Sequence, residues 1–121
     1  MPIKLLVIDL ETEQQNTLPN LSTHGFQTYV TYKDQRYVQA LREIEPDVII
    51  INAIQPERKN GTIYADIRAV SQAPILVTSV VDKPGIVEHV LDQGADEYLI
   101  KPLSTNILIA RLKALARRAK T

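Results

Sequence analysis

The sequence predicts a doubly wound α/β sandwich, in which helices cover both faces of a five-stranded parallel sheet in a (βα)5 order. Five short apolar runs recur along the chain. The first, third and fourth are continuously apolar, which is typical of strands buried on both faces of a parallel sheet. Between the runs lie stretches of about ten to sixteen residues that suit helices. This alternation of strands and helices indicates the doubly wound class.

The predicted strands are KLLVI at 4–8, FQTYV at 26–30, VIII at 48–51, ILVTS at 75–79 and EYLI at 97–100. FQTYV alternates between apolar and polar residues, which favours an edge strand. The other runs are candidates for the interior of the sheet.

The segment between the first two strands predicts the weakest helix. Thr12 and Gln15 have the spacing of a capping box, and Gly25 suits the far end of a helix. Pro19 lies between them, where it would remove a helical hydrogen bond and clash with the preceding turn. We therefore expect a kinked or shortened helix here, because the apolar side chains of the segment still need burial.

Three later segments carry apolar residues at helical spacing. QRYVQALREI (35–44) and GIVEHVLDQG (85–94) each place their apolar residues on one face. STNILIARLKALARRAK (104–120) has a stripe made of Leu108, Leu112 and Leu115. The basic residues at its end complement the negative end of the helix dipole.

Composition narrows the function classes. A chain of 121 residues is one domain, and the absence of cysteine excludes disulfides, thiolate metal sites and a catalytic thiol. Basic and acidic residues balance at 14 each, so the chain has no electrostatic reason to bind nucleic acid or anionic membrane by itself. No apolar run approaches the roughly 20 residues of a membrane span, and no signal peptide is recognisable. The cytoplasm is the simplest expected location.

Polar residues stand at the carboxyl ends of the predicted strands. Asp9 follows the first strand, Asn52 the third, Ser79 the fourth and Lys101 the fifth. Open α/β sheets bind ligands outside the carboxyl ends of their strands. An acid, an amide, a hydroxyl and an ammonium are therefore expected to meet at one rim. His24 and His89 are far apart in this topology and make no metal pair.

These residues resemble those of the receiver domains of two-component response regulators, and the resemblance covers essentially the whole chain. GADEYLIKPLS (94–104) is the most specific segment, because an aromatic residue three places before the Lys101–Pro102 pair marks the family. The resemblance implies a CheY-like, flavodoxin-like fold with strand order 2-1-3-4-5 and a cis peptide bond before Pro102. ARLKALARR (110–118) resembles the last helix of the OmpR/PhoB subfamily, whose winged-helix DNA-binding domain would lie outside this chain.

The resemblance also assigns roles to the rim residues. Asp9 matches the first acid of the family, whereas Leu10 stands at the second acidic position, which binds Mg²⁺ directly. Asn52 stands at the position of the aspartate that accepts the phosphoryl group. Ser79 matches the hydroxyl residue that senses that group, with Thr78 as the alternative if the register slips by one. Lys101 matches the lysine that pairs with the phosphoryl oxygens.

Three further residues bear on the same comparison. Tyr98 matches the aromatic switch residue, and Asn60 replaces the glycine that the family usually has in the loop after the third strand. Glu11 is a weak candidate for a substitute metal ligand.

Two of the three acids that the family uses are absent, so the conventional phosphorylation switch is expected to be lost. An amide cannot be the carboxylate nucleophile that forms an acyl phosphate, and Mg²⁺ usually needs one or two carboxylates. We expect weak or absent Mg²⁺ binding, no other cofactor and no enzyme activity. Asn52 is expected to hydrogen-bond within the old pocket, and Asp9 to cap the first helix or pair with Lys101.

The resemblance points to a dimer face made by the fourth helix, fifth strand and fifth helix of the (βα)5 pattern. Asp96, Glu97 and Arg111 occupy plausible pairing positions, and Lys113 and Arg118 are further candidates. Ile107 stands where the subfamily usually has a glutamate, which exchanges an ion-pair partner for exposed apolar surface.

The sequence thus predicts a phosphorylation-independent receiver domain, the regulatory and dimerising part of a transcriptional regulator. Its expected partners are a second copy of the chain and a histidine kinase or other regulatory protein, with DNA reached only through the effector domain. The first alternative is a sensor that binds a small molecule in the relict pocket. The second is residual phosphotransfer through Ser79 or Asp9.

Overall fold

The computed structural model describes residues 2–10, 18–32, 36–53 and 63–119, which form one five-stranded parallel sheet with helices on both sides. The strands are β1 (Ile3–Asp9), β2 (Phe26–Tyr32), β3 (Val48–Asn52), β4 (Ile75–Ser79) and β5 (Glu97–Ile100). The helices are α1 (Tyr37–Ile44), α2 (Ile63–Val70), α3 (Ile86–Asp92) and α4 (Thr105–Ala119), with a 3-10 turn at Ser22–His24. The strand order is β2-β1-β3-β4-β5, which confirms the predicted fold and places FQTYV at an edge.

The central strands are buried on both faces, because each face carries its own apolar core. Every residue of β3 and β4 is buried, as the continuous apolar runs predict. The first face packs against Leu41 of α1, Ile67 of α2 and Val90 of α3, and we call it the α1–α3 face. The second packs against the leucine stripe of α4 and against Leu21, and we call it the α4 face. Successive residues of a strand alternate between these two faces.

Residues 11–17 lie outside the described residues, so the kinked or shortened first helix stays a prediction there, and the described residues 18–25 contain a 3-10 turn at Ser22–His24. Gly25 ends the turn at φ 88°, a conformation that glycine adopts without steric cost. Leu21 is buried and Leu18 is half-buried against the α4 face. Thr12 lies outside the described residues. The (βα)5 expectation therefore becomes four α-helices and a 3-10 turn within the described part of the chain.

Polar contacts tie the elements together at the other end of the sheet. The Arg68 guanidinium donates to the carbonyls of Ser71 (3.3 Å) and Ala73 (2.7 Å), just after α2. It also lies 3.4 Å from the Asp96 carboxylate, which accepts a 2.8 Å hydrogen bond from the Ile75 amide. This one arginine therefore links the end of α2 to the starts of β4 and β5.

Helix α1 is joined to α2 through its first residue. The Tyr37 hydroxyl donates to Asp66 at 2.8 Å. Burial, and then this hydrogen bond and the negative charge of Asp66, raise the pKa of Tyr37 to about 12.

Within the described residues, the helices are all too short or too polar to cross a membrane.

Candidate functional site

Three neighbouring strands carry polar residues that share one register position at or next to their carboxyl ends. Asp9 of β1 is opposite Asn52 of β3, and Asn52 is opposite Thr78 of β4. Directly opposed residues of paired strands point to the same face. The alternation along β3 and β4 places Asn52 and Thr78 on the α4 face, above the apolar core that contains Ile50 and Leu76.

The three side chains form a buried hydrogen-bond chain. The Thr78 hydroxyl donates to Asn52 Oδ1 at 2.9 Å, and Asn52 Nδ2 donates to Asp9 Oδ1 at 3.2 Å. Asn52 and Thr78 have no solvent exposure, and Asp9 is 7% exposed. An amide suits the middle position because it can accept from one neighbour while it donates to the other. Among the described residues, no buried side-chain nitrogen or oxygen is without a hydrogen-bond partner.

The hydroxyl that contacts Asn52 therefore belongs to Thr78, which was the alternative to Ser79 in the sequence comparison. Ser79 follows Thr78 and points to the α1–α3 face, where Ile75 and Val77 are buried. Its Oγ accepts a 3.1 Å hydrogen bond from the Val81 amide instead. A one-residue difference thus moves the hydroxyl from one side of the sheet to the other.

Tyr98 lies on the α1–α3 face of β5 and is half-buried there. Its hydroxyl donates to the Val81 carbonyl at 2.7 Å. Tyr64 of α2 packs against the same core, and burial together with the neighbouring Tyr98 raises the pKa of Tyr64 to about 12. The sequence comparison missed Val81 and Tyr64, because neither residue type carries a recognisable motif.

The remaining rim residues are Lys101 and Pro102 after β5 and Leu10 after β1. The Lys101–Pro102 peptide bond is cis, the form that the family resemblance implies. The Lys101 amide donates to the Ser79 carbonyl at 2.8 Å, and the Lys101 side chain is half-buried. Leu10, at the position of the family's metal ligand, packs against the core of the α1–α3 face.

The described residues contain no group of three His, Cys, Asp or Glu side chains that could hold a metal ion. Asp9 is the carboxylate of the row, and Asn52 offers it a neutral amide neighbour. Glu11 and Asn60 lie outside the described residues. The chemistry of this donor set suits Mg²⁺ poorly, because that ion prefers one or two carboxylates and octahedral oxygen coordination.

The predicted dimer face, made by the fourth helix, fifth strand and fifth helix of the (βα)5 pattern, corresponds to α3, β5 and α4, because the described residues before it include two α-helices. Arg111 and Glu97 form an ion pair within the chain at 3.5 Å. Asp96, another predicted pairing residue, is bound within the chain to Arg68 and the Ile75 amide. Ile107 is 53% exposed on the first turn of α4.

A polar row at the carboxyl edge of a 2-1-3-4-5 sheet, with a lysine and a cis-proline after the last strand, defines a receiver-type α/β domain. The profile described as "Response regulator receiver domain" matches residues 5–113. The chain therefore belongs to the response regulator receiver domain family. Members of this family are signalling modules that interact with histidine kinases and effector domains.

Solved structures agree with this assignment. A two-component response regulator from Clostridium difficile is 26% identical, with 98% of this chain and 99% of that chain covered and a TM-score of 0.78. The receiver domain of the Francisella response regulator 1452 is 25% identical, with 96% and 98% covered and a TM-score of 0.77. The BeF3-activated N-terminal receiver domain of Klebsiella pneumoniae RstA has the same fold, at 23% identity, 94% and 98% coverage and a TM-score of 0.78.

Proposed function

We propose that this receiver domain works without aspartyl phosphorylation, as the regulatory and dimerising domain of a transcriptional regulator of the OmpR/PhoB type. The observation that carries the proposal is the position of Asn52. Its amide occupies the phosphoacceptor position and is hydrogen-bonded on both sides, to Asp9 and to Thr78. Protein side chains thus hydrogen-bond the residue at position 52, where an ordinary receiver binds a phosphoryl group beside a metal ion.

The chemistry of the row supports the loss of the switch. An acyl phosphate forms by attack of a carboxylate oxygen on phosphorus, and the Asn52 amide has no such nucleophile. Asn52 Nδ2 also gives the Asp9 carboxylate an uncharged hydrogen-bond donor, at a position where a second carboxylate would create like-charge repulsion. The Leu10 side chain, packed against the core, has no oxygen to offer a metal.

Signalling would then depend on the face made of α3, β5 and α4. The segment 86–100 carries four acidic residues and no lysine or arginine, whereas α4 carries four basic residues and no acidic one. A second copy related by a twofold axis would set the acidic half of each face against the basic half of the other. Such complementarity mainly fixes the orientation and the rate of association.

Apolar residues at the same face would add the contact area. Ile107 and Leu91 are exposed large apolar residues, on α4 and α3. The Glu97–Arg111 ion pair lies on the same surface, where the Arg111 side chain is 55% exposed and the Glu97 side chain 24%. Asp96 takes a smaller part in this proposal than the sequence comparison gave it, because its carboxylate is already used by Arg68 and Ile75.

The partners follow from this role. The winged-helix DNA-binding domain would be supplied outside this chain, and DNA would be reached only through it. A histidine kinase or another regulatory protein would act by binding this domain rather than by transferring a phosphoryl group to position 52. No cofactor is needed for either step.

Sedimentation velocity tests the proposal, with and without Mg²⁺ and a small phosphodonor such as acetyl phosphate. We expect a concentration-dependent dimer whose dissociation constant is unchanged by the phosphodonor. Ile107→Ala should weaken the dimer by at least about ten-fold, because both copies of the side chain lose apolar contact area at a twofold face. Val30→Ala, at an exposed apolar residue on the opposite edge strand, is the matched control and should have no effect. A dimer that forms only with the phosphodonor would contradict the proposal.

A further inference from the structure

A cavity of about 370 Å³ lies on the α4 face, between the sheet and the segment that leads into β2. Its floor is made of Leu5 and Val7 of β1 and Ile50 of β3, which are buried members of the apolar core. Leu18 and Leu21 line it from the other side and belong to the same core. The cavity is therefore a gap within apolar packing.

The edge strand β2 forms the open side of the cavity. Thr28 lies opposite Leu5, and Val30 lies opposite Val7, so all four side chains point to the α4 face. Leu5 and Val7 are buried, whereas Thr28 is exposed and Val30 is 41% exposed. Within the described residues, the apolar cover of the α4 face thus stops at β1, which leaves the cavity accessible from the β2 edge.

The connection between β1 and β2 has few apolar side chains with which to fill this gap. Residues 11–17, outside the described part of the chain, read ETEQQNT and are all polar. The apolar residues that follow them, Leu18, Pro19 and Leu21, already line the cavity. The lining of such a gap forfeits dispersion contacts, and an apolar molecule that enters the gap restores them.

The volume of the cavity suits a small organic molecule. It is more than twice the roughly 150 Å³ of an apolar cavity that takes up benzene, and it falls within the range of about 300–1,000 Å³ that is typical of small-molecule sites. The sheet closes the cavity on one side and residues 18–22 close it on the other. A folded partner protein therefore does not fit into it.

The lining also defines the charge of the ligand. The described residues that line the cavity have no charged side chain, and their polar members Asn20, Ser22 and Thr28 are exposed. Asn20 Oδ1 accepts from the Ser22 amide at 3.0 Å and from the Ser22 hydroxyl at 2.8 Å, which holds this part of the rim together. A charged ligand would lose its hydration here without gaining a partner, whereas a neutral hydroxyl or carbonyl group suits the polar rim.

We infer that this cavity is a binding site for a neutral, mainly apolar small molecule that enters at the β2 edge. Val7 and Ile50 of its floor lie two residues before Asp9 and Asn52 on the same face, so the ligand lies beside the polar row. The site gives the domain an input that requires no phosphoryl group. It goes beyond the proposed function and does not depend on dimerisation.

An amide-resolved NMR titration with 1-naphthol tests the inference. This probe has an apolar two-ring body and one hydroxyl group, and it is uncharged at neutral pH. We expect saturable shifts at Val7, Leu21 and Val30, with a dissociation constant below about 1 mM. The anionic analogue 1-naphthoate should bind at least about ten-fold more weakly, because its carboxylate has no charged partner in the cavity.

A matched pair of variants locates the site. Val30→Trp places a larger side chain at the open side of the cavity and should weaken 1-naphthol binding by at least about ten-fold, while the exposure of Val30 lets the fold accept the larger side chain. Val80→Trp, the same substitution at a valine of the β4–α3 loop that is 62% exposed, should leave the affinity within about two-fold of the wild-type value.

Three results would overturn the inference. They are the absence of saturable shifts at the lining residues, shifts that centre on another part of the domain, and equal affinities of Val30→Trp and Val80→Trp. Equal binding of 1-naphthol and 1-naphthoate would overturn the assignment of a neutral ligand. A failed dimer in sedimentation experiments would leave the titration intact, because the cavity lies at the opposite edge of the sheet from the proposed dimer face.

Discussion

Replacement of Asn52 by aspartate is the most informative perturbation of the polar row. The change restores the family's phosphoacceptor and alters almost no volume. It also converts the donor that faces Asp9 Oδ1 at 3.2 Å into a second carboxylate oxygen, in a position without solvent exposure. The variant therefore isolates the electrostatic reason for an amide at this position.

Two electrostatic costs bound the loss of stability in Asn52→Asp. Two full charges about 3.2 Å apart repel by about 5 kcal/mol at an effective dielectric constant of 20. The pair can avoid this by keeping one proton, which for a carboxyl with an unperturbed pKa near 3.9 costs about 4 kcal/mol at pH 7. The protonated carboxyl can donate a hydrogen bond to Asp9, so retaining the proton costs less free energy than the repulsion between two charges. We expect Asn52→Asp to lose up to about 4 kcal/mol at pH 7.

The pH dependence follows from the retained proton. The carboxyl introduced at position 52 has a folded-state pKa above its unfolded value, so the folded variant binds more protons than the unfolded chain between those two values. The stability that this proton supports is fully present below the unfolded pKa and is lost as the pH rises. The penalty relative to wild type should be small near pH 4 and should grow by up to about 1.4 kcal/mol per pH unit above it.

Urea unfolding of the wild type and Asn52→Asp at pH 4.5, 6 and 7.5 measures this penalty. Thr78→Val is the control, because it leaves the buried Asn52 Oδ1 without its donor and should cost about 1–3 kcal/mol at every pH. A penalty for Asn52→Asp that does not change with pH, or one below about 1 kcal/mol at pH 7.5, would mean that like-charge repulsion does not explain the amide at this position.

Three further predictions concern stability. Glu45 ends α1 at φ 50°, so Glu45→Gly should raise the free energy of unfolding by about 1 kcal/mol in urea titrations, whereas Glu45→Ala should give no gain. Tyr37 and Tyr64 have pKa values raised from 10.0 to about 12, so the stability they support is full below pH 10 and is lost as the pH rises from 10 to 12. The urea midpoint of unfolding should fall between pH 10 and 12 in the wild type and should fall less steeply in the double variant Tyr37→Phe, Tyr64→Phe. Equal slopes of midpoint against pH in the two proteins would contradict this prediction. Arg68→Met should lower the free energy of unfolding by about 1–2 kcal/mol, because the Ala73 carbonyl loses its donor. Asp96→Asn keeps an acceptor for the Ile75 amide and should cost less. Thermal melts that rank the two variants in the reverse order would contradict these hydrogen bonds.

The sequence pattern located the sheet well, because continuous apolar runs such as VIII and ILVTS have few alternatives to buried parallel strands. The leucine stripe of α4 and the edge position of FQTYV are confirmed for the same reason. Pro19 predicts that no regular α-helix runs on towards Gly25, and the described residues 18–25 have only a 3-10 turn at Ser22–His24.

The details of the rim, and the polar contacts between elements, could not be predicted to the same degree. The choice between Thr78 and Ser79 depends on a shift of one residue, which moves every side chain of a strand to the other face. Contacts such as Arg68 with Asp96, or Tyr98 with Val81, join residues 28 and 17 positions apart and leave no periodic pattern in the sequence. Only the assembled structure shows that Asp96 is used within the chain.

Phosphorylation-independent action is tested directly by an amide-resolved NMR titration of this domain with Mg²⁺ and then with beryllofluoride, a mimic of the phosphoryl group. We expect that the amide signals of Asp9, Asn52, Thr78 and Lys101 do not move at millimolar Mg²⁺ or after beryllofluoride is added. Shifts that begin at those four residues and spread to Tyr98 would show that the pocket still responds to a phosphoryl-like ligand, and would contradict phosphorylation-independent action.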